Sequence, residues 1–187
     1  MSRPFRYTVI LGLVTIGTAL SAVGGWRYAR ASAPVSGPII LISVDTLRAD
    51  RLPVYGYRQV KTPALDALAA DGVVFERAYS HAPQTLPAHA SLLSGRLPFE
   101  TGVRDNVGFT VPGDQRLLAE MLRDRGYRTA GVVSSYVLRE ETGIGQGFSF
   151  FDGDMPQGSP SAARAGPGRD GAASERIAEN WLGSAGT

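Results

Sequence analysis

Cysteine is absent from the 187 residues of this chain. That excludes disulfides and thiolate metal sites, and it leaves the compartment unreadable from cysteine usage. Lysine occurs once, at Lys61, and no basic run is present. A nucleic-acid-binding face needs Lys and Arg clustered on the folded part, so no nucleic-acid partner is expected. The sequence contains no internal repeat.

What is present is globular on average, with 43% hydrophobic and 19% charged residues in a length that suits one ordinary domain. Glycine (23) and proline (12) are plentiful, so many loops are expected. The net charge of +2 is unevenly spread. Residues 1–37 hold four arginines and no acid, so the other 15 of the 19 basic residues face all 17 acids. The pI near 9.1 therefore partly reflects the N-terminal segment.

That segment, "MSRPFRYTVILGLVTIGTALSAVGGWRYAR", carries an uncharged stretch from Tyr7 to Trp26 between Arg3/Arg6 and Arg27/Arg30. Its length matches the ~20 residues of a membrane-spanning helix, with aromatics at both ends. Small-x-small patterns at Ala19-Leu20-Ser21 and Ala29-Arg30-Ala31 allow cleavage. We read residues 1–30 as an uncleaved signal anchor and 31–37 as a linker. The folded part is then expected on the exported side, periplasmic or extracellular.

Ile39 to Val44 is apolar and rich in β-branched residues, which predicts a buried, parallel strand ending at Asp45. "TPALDALAADG" predicts a helix from Pro63 to a stop at Gly72, and "VVFERAYS" (73–80) a second strand. A short helix is predicted from about Pro87 to Ser94. Residues 113–126 predict an amphipathic helix with Leu117, Leu118, Met121 and Leu122 as its stripe. "YRTAGVVS" (127–134) predicts a third strand, and "FSFFDGD" (148–154) an aromatic-rich loop or short strand. This alternation argues for an α/β layered fold. Residues 153–173 read as a flexible Gly/Pro-rich segment, and 174–187 as the start of a further helix with Ile177, Trp181 and Leu182 as its stripe.

Two residues stand out on their chemistry. Asp45 ends the predicted first strand, and ligands of open α/β sheets bind beyond the carboxyl ends of strands. A strand-end aspartate also serves as a plain turn or cap residue. Thr85, in "HAPQTLPAHASLLSG" (81–95), sits where loop becomes helix. Its hydroxyl either caps a free backbone N–H or is a nucleophile presented at the positive end of a helix dipole.

The stretches "ISVDTLRADRLPVYGY", "TPALDALAADGVVFERAYSHAPQTLPAHASLLSGRLPFETGVRDN" and "LAEMLRDRGYRTAGVVSS" together resemble the N-terminal half of the sulfatase family, part of the alkaline-phosphatase superfamily. The resemblance covers residues 38–152, in the family's order. It implies an α/β sandwich around a mixed, mostly parallel sheet. It also implies a site with one or two divalent metals and a metal-bound nucleophile at a helix N-terminus. Asp45 matches the family's first metal-binding aspartate. Thr85 matches the nucleophile position, which is also a metal ligand. Pro87 matches the proline of the Cys/Ser-x-Pro-Ser/Ala-Arg signature, with Ala88 beside it and His89 where the signature has arginine. Asn106 matches the asparagine that phosphodiesterase members aim at a transition-state oxygen. His89 either positions the nucleophile, donates to the leaving group, or is a structural histidine one turn into a helix. His81 is read as structural.

The resemblance thus implies a metal-dependent hydrolase of sulfuric or phosphoric esters, tethered to the membrane by its N-terminal helix. Typical sulfatases oxidise Cys or Ser at the nucleophile position to formylglycine. Thr85 is neither, so a conventional formylglycine mechanism is not expected, and threonine draws the reading toward phosphodiesterases or phosphotransferases of the superfamily. Thr46 stands where sulfatases often carry a second aspartate. Ca2+ or Mg2+ would suit a sulfatase-like site, Zn2+ or Mn2+ a phosphodiesterase-like one. The family's other metal ligands lie beyond residue 187. The chain is therefore expected to be an N-terminal fragment, inactive by itself and with an unpaired sheet edge. A noncatalytic membrane-tethered remnant is the alternative.

Overall fold

The computed structural model describes residues 37–155 and 168–185. The predicted membrane segment, residues 31–36 and the centre of the Gly/Pro-rich stretch lie outside the described residues. Among the described residues, no helix is long and apolar enough to cross a membrane. The chain divides into two compact units, Met1–Val44 and Asp45–Thr187.

In the first unit, the strand predicted over Ile39 to Val44 does not form, and these residues are exposed, Ile42 by 77%. An apolar run becomes a strand only when a neighbour satisfies its N–H and C=O groups. The sheet among the described residues has two strands, and neither includes this run.

The second unit opens with two 3-10 turns, Ala49–Arg51 and Pro53–Tyr55, followed by helix α1 (Pro63–Asp71). Pro63 occupies the first turn of α1, where its missing N–H costs nothing. The strand predicted over 73–80 is also absent, and Val73, Phe75 and Tyr79 are exposed. The same constraint applies, because no partner strand engages them. Helix α2 (Thr85–Ser94) starts two residues before the predicted Pro87, because the Ala88 N–H donates to the Gln84 carbonyl at 3.1 Å. Gly95 closes it in the left-handed conformation, φ 69°, donating to Ser91 O at 2.9 Å.

Helix α3 (Pro98–Thr101) follows, then α4 (Leu118–Arg123). α4 is shorter than the predicted 113–126. Leu117 is extended at its N-cap, where its N–H donates to the Glu120 carboxylate at 2.9 Å, and residues 113–114 form a turn instead, closed by the Gln115 N–H donating to Pro112 O at 3.0 Å. Strands β1 (Ala130–Val132) and β2 (Phe150–Asp152) pair in parallel, with Gly131 opposite Phe151. A Cβ on Gly131 would lie 2.8 Å from the Phe151 ring, so this position accepts only glycine without a shift. Two 3-10 turns, Tyr136–Leu138 and Glu140–Thr142, form the crossover. Helix α5 (Gly171–Ala185) completes the described chain.

The core gathers Leu86, Ala90, Val103, Val111, Leu117, Leu138 and Ile144, with Leu93, Val133, Val137 and Phe151 packed against it. On α2, Leu86, Ala90 and Leu93 fall at i, i+4 and i+7, one helical face. Thr85 and His89, also four apart, therefore share a neighbouring face. Ser91 lies on the buried side, and its Oγ finds no hydrogen-bond partner among the described residues.

Arg169 is the buried charge of the fold. Its guanidinium meets Asp152 Oδ1 at 2.5 Å, Val133 O at 2.6 Å and Ser174 Oγ at 3.1 Å. One side chain thus ties the ends of both strands to the first turn of α5. Asp170 caps that helix, accepting the Ala173 N–H at 2.8 Å, so α5 begins at Gly171 and not at the predicted residue 174.

Two outcomes are expected in chemical denaturation. Asp152→Ala strands a buried guanidinium and should destabilise by about 3 kcal/mol. Ser91→Ala removes an unsatisfied hydroxyl and adds helix propensity, so its unfolding free energy should rise by ~1 kcal/mol. A Ser91→Ala variant weaker than wild type would show that the hydroxyl has a partner.

Candidate functional site

Thr85 is the first residue of α2, with Gln84 at the N-cap, and no side chain of α2's own N-cap bonds back to it. The Thr85 hydroxyl does not cap an N–H. It donates to Asp45 Oδ2 at 2.9 Å, across forty residues of sequence. Asp45 is exposed and Thr85 partly buried. Asp45 sits in a turn with Thr46, whose φ of 58° is the positive-φ case among described non-glycine residues. A β-branched residue there is strained by about 1–3 kcal/mol, which the surrounding contacts must offset.

Helix starts leave backbone N–H groups without partners. In α2, Pro87 has no N–H to satisfy. The Leu86 N–H donates to Asn106 Oδ1 at 2.8 Å. The Thr85 N–H has no acceptor among the described residues. Asn106 therefore caps α2 from a separate loop. Because a backbone N–H only donates, the amide oxygen must face Leu86, and the Nδ2 donors must face away from it. The loop is itself pinned: Asp105 Oδ1 accepts the N–H of Asn106 at 2.6 Å and of Val107 at 3.4 Å.

His89 Nδ1 lies 2.8 Å from the Thr85 carbonyl oxygen. A carbonyl only accepts, so Nδ1 carries the proton and a neutral ring has its lone pair on Nε2. The contact holds the ring to the backbone of Thr85, one turn away. His81 is exposed in the preceding loop and has no hydrogen bond to this group.

The structure thus brings Asp45, Thr85, His89 and Asn106 to one helix start. Asp45 and Thr85 present two hard oxygen donors in mutual contact, the chemistry that Ca2+ or Mg2+ takes. Such ions need about six ligands, and no group of three or more His, Cys, Asp or Glu that could hold a metal occurs among the described residues. The donor type fits a hard divalent cation, but the donor number does not suffice alone. Sequence reasoning missed Asp105. Its signal was present, since Asp followed by Asn in a loop favours a side-chain-to-backbone turn.

A hydroxyl in the first turn of a helix is thus held by a carboxylate, beside an amide that caps the same helix. The sulfatase family model matches residues 38–184, and the chain belongs to the sulfatase family. It is 32% identical over 130 residues to N-acetylgalactosamine-6-sulfatase of Canis lupus familiaris, covering 58% of this chain and 25% of that protein. It is 29% identical over 120 residues to N-acetylglucosamine-6-O-sulfatase of Bacteroides thetaiotaomicron, covering 64% and 21%. A solved 2-O GAG sulfatase aligns with 28% identity and a TM-score of 0.48, over 58% of this chain and 24% of that one. The chain spans about a quarter of the length of the curated relatives it matches.

Removal of the Asn106 cap should expose the Leu86 amide. Asn106→Ala is expected to cost about 1 kcal/mol and to speed hydrogen exchange at Leu86 selectively. Unchanged exchange there would mean that water or another group caps α2.

Proposed function

We propose that this chain is the N-terminal, nucleophile-bearing part of a longer, membrane-anchored hydrolase of sulfate esters that acts on the exported side. The observation that carries the reading is the Thr85–Asp45 hydrogen bond at the start of α2. Family membership supports the sulfate ester, and two of the matched relatives are named for 6-sulfated amino sugars. The span of a quarter of those relatives supports a partial chain. The uncharged stretch from Tyr7 to Trp26 supports the anchor.

In this reading the substrate's sulfuryl oxygens lie against the start of α2, where the free Thr85 N–H and the helix dipole favour negative charge. Asp45 and Thr85 would be two of the ligands of a divalent cation, which when bound would neutralise charge on the ester oxygens. Thr85 Oγ1 attacks sulfur while its proton passes along the existing hydrogen bond to Asp45 Oδ2. The sulfur–oxygen bond to the leaving alcohol breaks, and the alkoxide is protonated from solvent. Water then attacks sulfur, Thr85 Oγ1 leaves and takes back the proton from Asp45, and the water's proton goes to solvent with the released sulfate, which restores both the hydroxyl and the carboxylate. Asn106 Nδ2 donates to an equatorial oxygen that gains charge in the transition state. His89 is a positioning residue, holding the Thr85 backbone through Nδ1.

A second reading, phosphodiester hydrolysis or phosphoryl transfer at the same site, is favoured by one observation. The nucleophile position holds Thr85 in a chain without cysteine, so no cysteine-derived formylglycine forms.

The two readings separate on 4-nitrophenyl sulfate and bis(4-nitrophenyl) phosphate, assayed with Ca2+, Mg2+, Mn2+ or Zn2+ on the longer protein. Faster sulfate release is expected, and it should fall at least about a hundredfold in Thr85→Ala while Thr85→Ser keeps part of it. Full activity in Thr85→Ala would remove the nucleophile assignment. Preferential cleavage of the phosphodiester would establish the second reading.

A further inference from the structure

The chain's one lysine stands in an unusual neighbourhood. Residues 48–61 carry Arg48, Arg51, Arg58 and Lys61 against a single acid, Asp50. Arg48 engages that acid through two hydrogen bonds, 2.9 and 2.6 Å, and they hold the Asp50 carboxyl below the usual carboxylate range. Arg58 and Lys61 have no ion-pair partner among the described residues.

Both cations line one open cavity of about 490 Å3, between the second 3-10 turn and the start of α1. That volume lies within the ~300–1,000 Å3 range of small-ligand clefts. Val60 and Pro63 supply apolar lining, and Tyr57 an aromatic one. Tyr57 is fixed in place before any ligand arrives. Its hydroxyl accepts from Arg51 Nη1 at 3.2 Å and donates to Gln59 Oε1 at 3.0 Å, and the Arg51 guanidinium lies 5.3 Å from its ring centroid. Asp66 also lines the cavity, with Oδ1 accepting the Thr62 hydroxyl at 3.2 Å.

This mixture selects among anions. A DNA backbone offers acceptors only and leaves Asp66 without a donor. A sulfated sugar offers an anion to Arg58 and Lys61, hydroxyl donors to Asp66, and a ring face to Tyr57. We infer that the Tyr57–Arg58–Lys61 cavity is a sugar-binding subsite that holds a sulfated residue of a polysaccharide, separate from the group around Thr85. The inference rests on the sulfate-ester reading for its substrate class, but its binding is measurable without turnover.

The test is binding of the full chain, in a non-ionic detergent, to immobilised dextran sulfate of low substitution, with unsulfated dextran as reference. The double variant Arg58→Ser/Lys61→Ser is expected to bind about tenfold more weakly, the combined effect of two exposed charge contacts. Tyr57→Ala should also weaken binding, whereas Arg116→Ser should not. Equal affinity of wild type and the double variant overturns the subsite. So does equal or tighter binding of wild type to short single-stranded DNA, because Asp66 would then select nothing. Dextran sulfate binding that depends on Arg58 and Lys61, in a longer protein that releases no sulfate from 4-nitrophenyl sulfate, would keep the subsite and remove the sulfate-ester reading.

Discussion

The candidate site depends on how α2 is seated. Leu86, Pro87 and Ala90 are sealed into the core, and Leu93 packs against it. With that face fixed, helical geometry leaves no choice for its neighbours: Thr85 and His89 emerge together at the helix start. Burying three apolar side chains is worth several kcal/mol. That exceeds the cost of holding a partly buried threonine and a strained Thr46 turn in place.

The polar half of the site follows from the open N-terminus of the same helix. A helix start must dispose of its unpaired N–H groups, and α2 lacks a capping side chain of its own. Asn106 takes that role from twenty residues away, and Asp105 holds the loop that delivers it. One constraint therefore does two things. It satisfies Leu86, and it forces the amide nitrogen of Asn106 outward as a donor. The Arg169 cluster applies the same logic elsewhere, with a single guanidinium closing the carbonyls of Val133 and Asp152 and the start of α5. In both places a side chain distant in sequence finishes a backbone end.

Much of this was legible from residues alone. The helix over Pro63–Asp71 announced itself through Pro63 and Gly72. Asp45 and Thr85 stood out by their positions, whereas His89 and Asn106 were named only through the resemblance to the sulfatase family. The third strand was found, though it pairs over three residues only. The helix over 113–126 was overextended, because periodicity cannot see Glu120 reaching back to cap Leu117. From sequence the Thr85 hydroxyl had two readings, helix cap or nucleophile, and in the structure it bonds Asp45 and caps no N–H. The apolar runs 39–44 and 73–80 carried a strand signal that the described structure does not realise.

The sequence by itself determined the family, the residue types of the site and the helix boundaries set by local chemistry. Proline placement and helical periodicity act within a few residues, so they can be read along the chain. Tertiary structure alone decided which of those residues meet. The hydroxyl of Thr85 and the carboxylate of Asp45 are forty positions apart, and Asn106 reaches the Leu86 N–H from twenty positions away. Strands belong to the same class, because a strand is a property of two segments. No apolar run, however β-branched, specifies the partner that must satisfy its backbone.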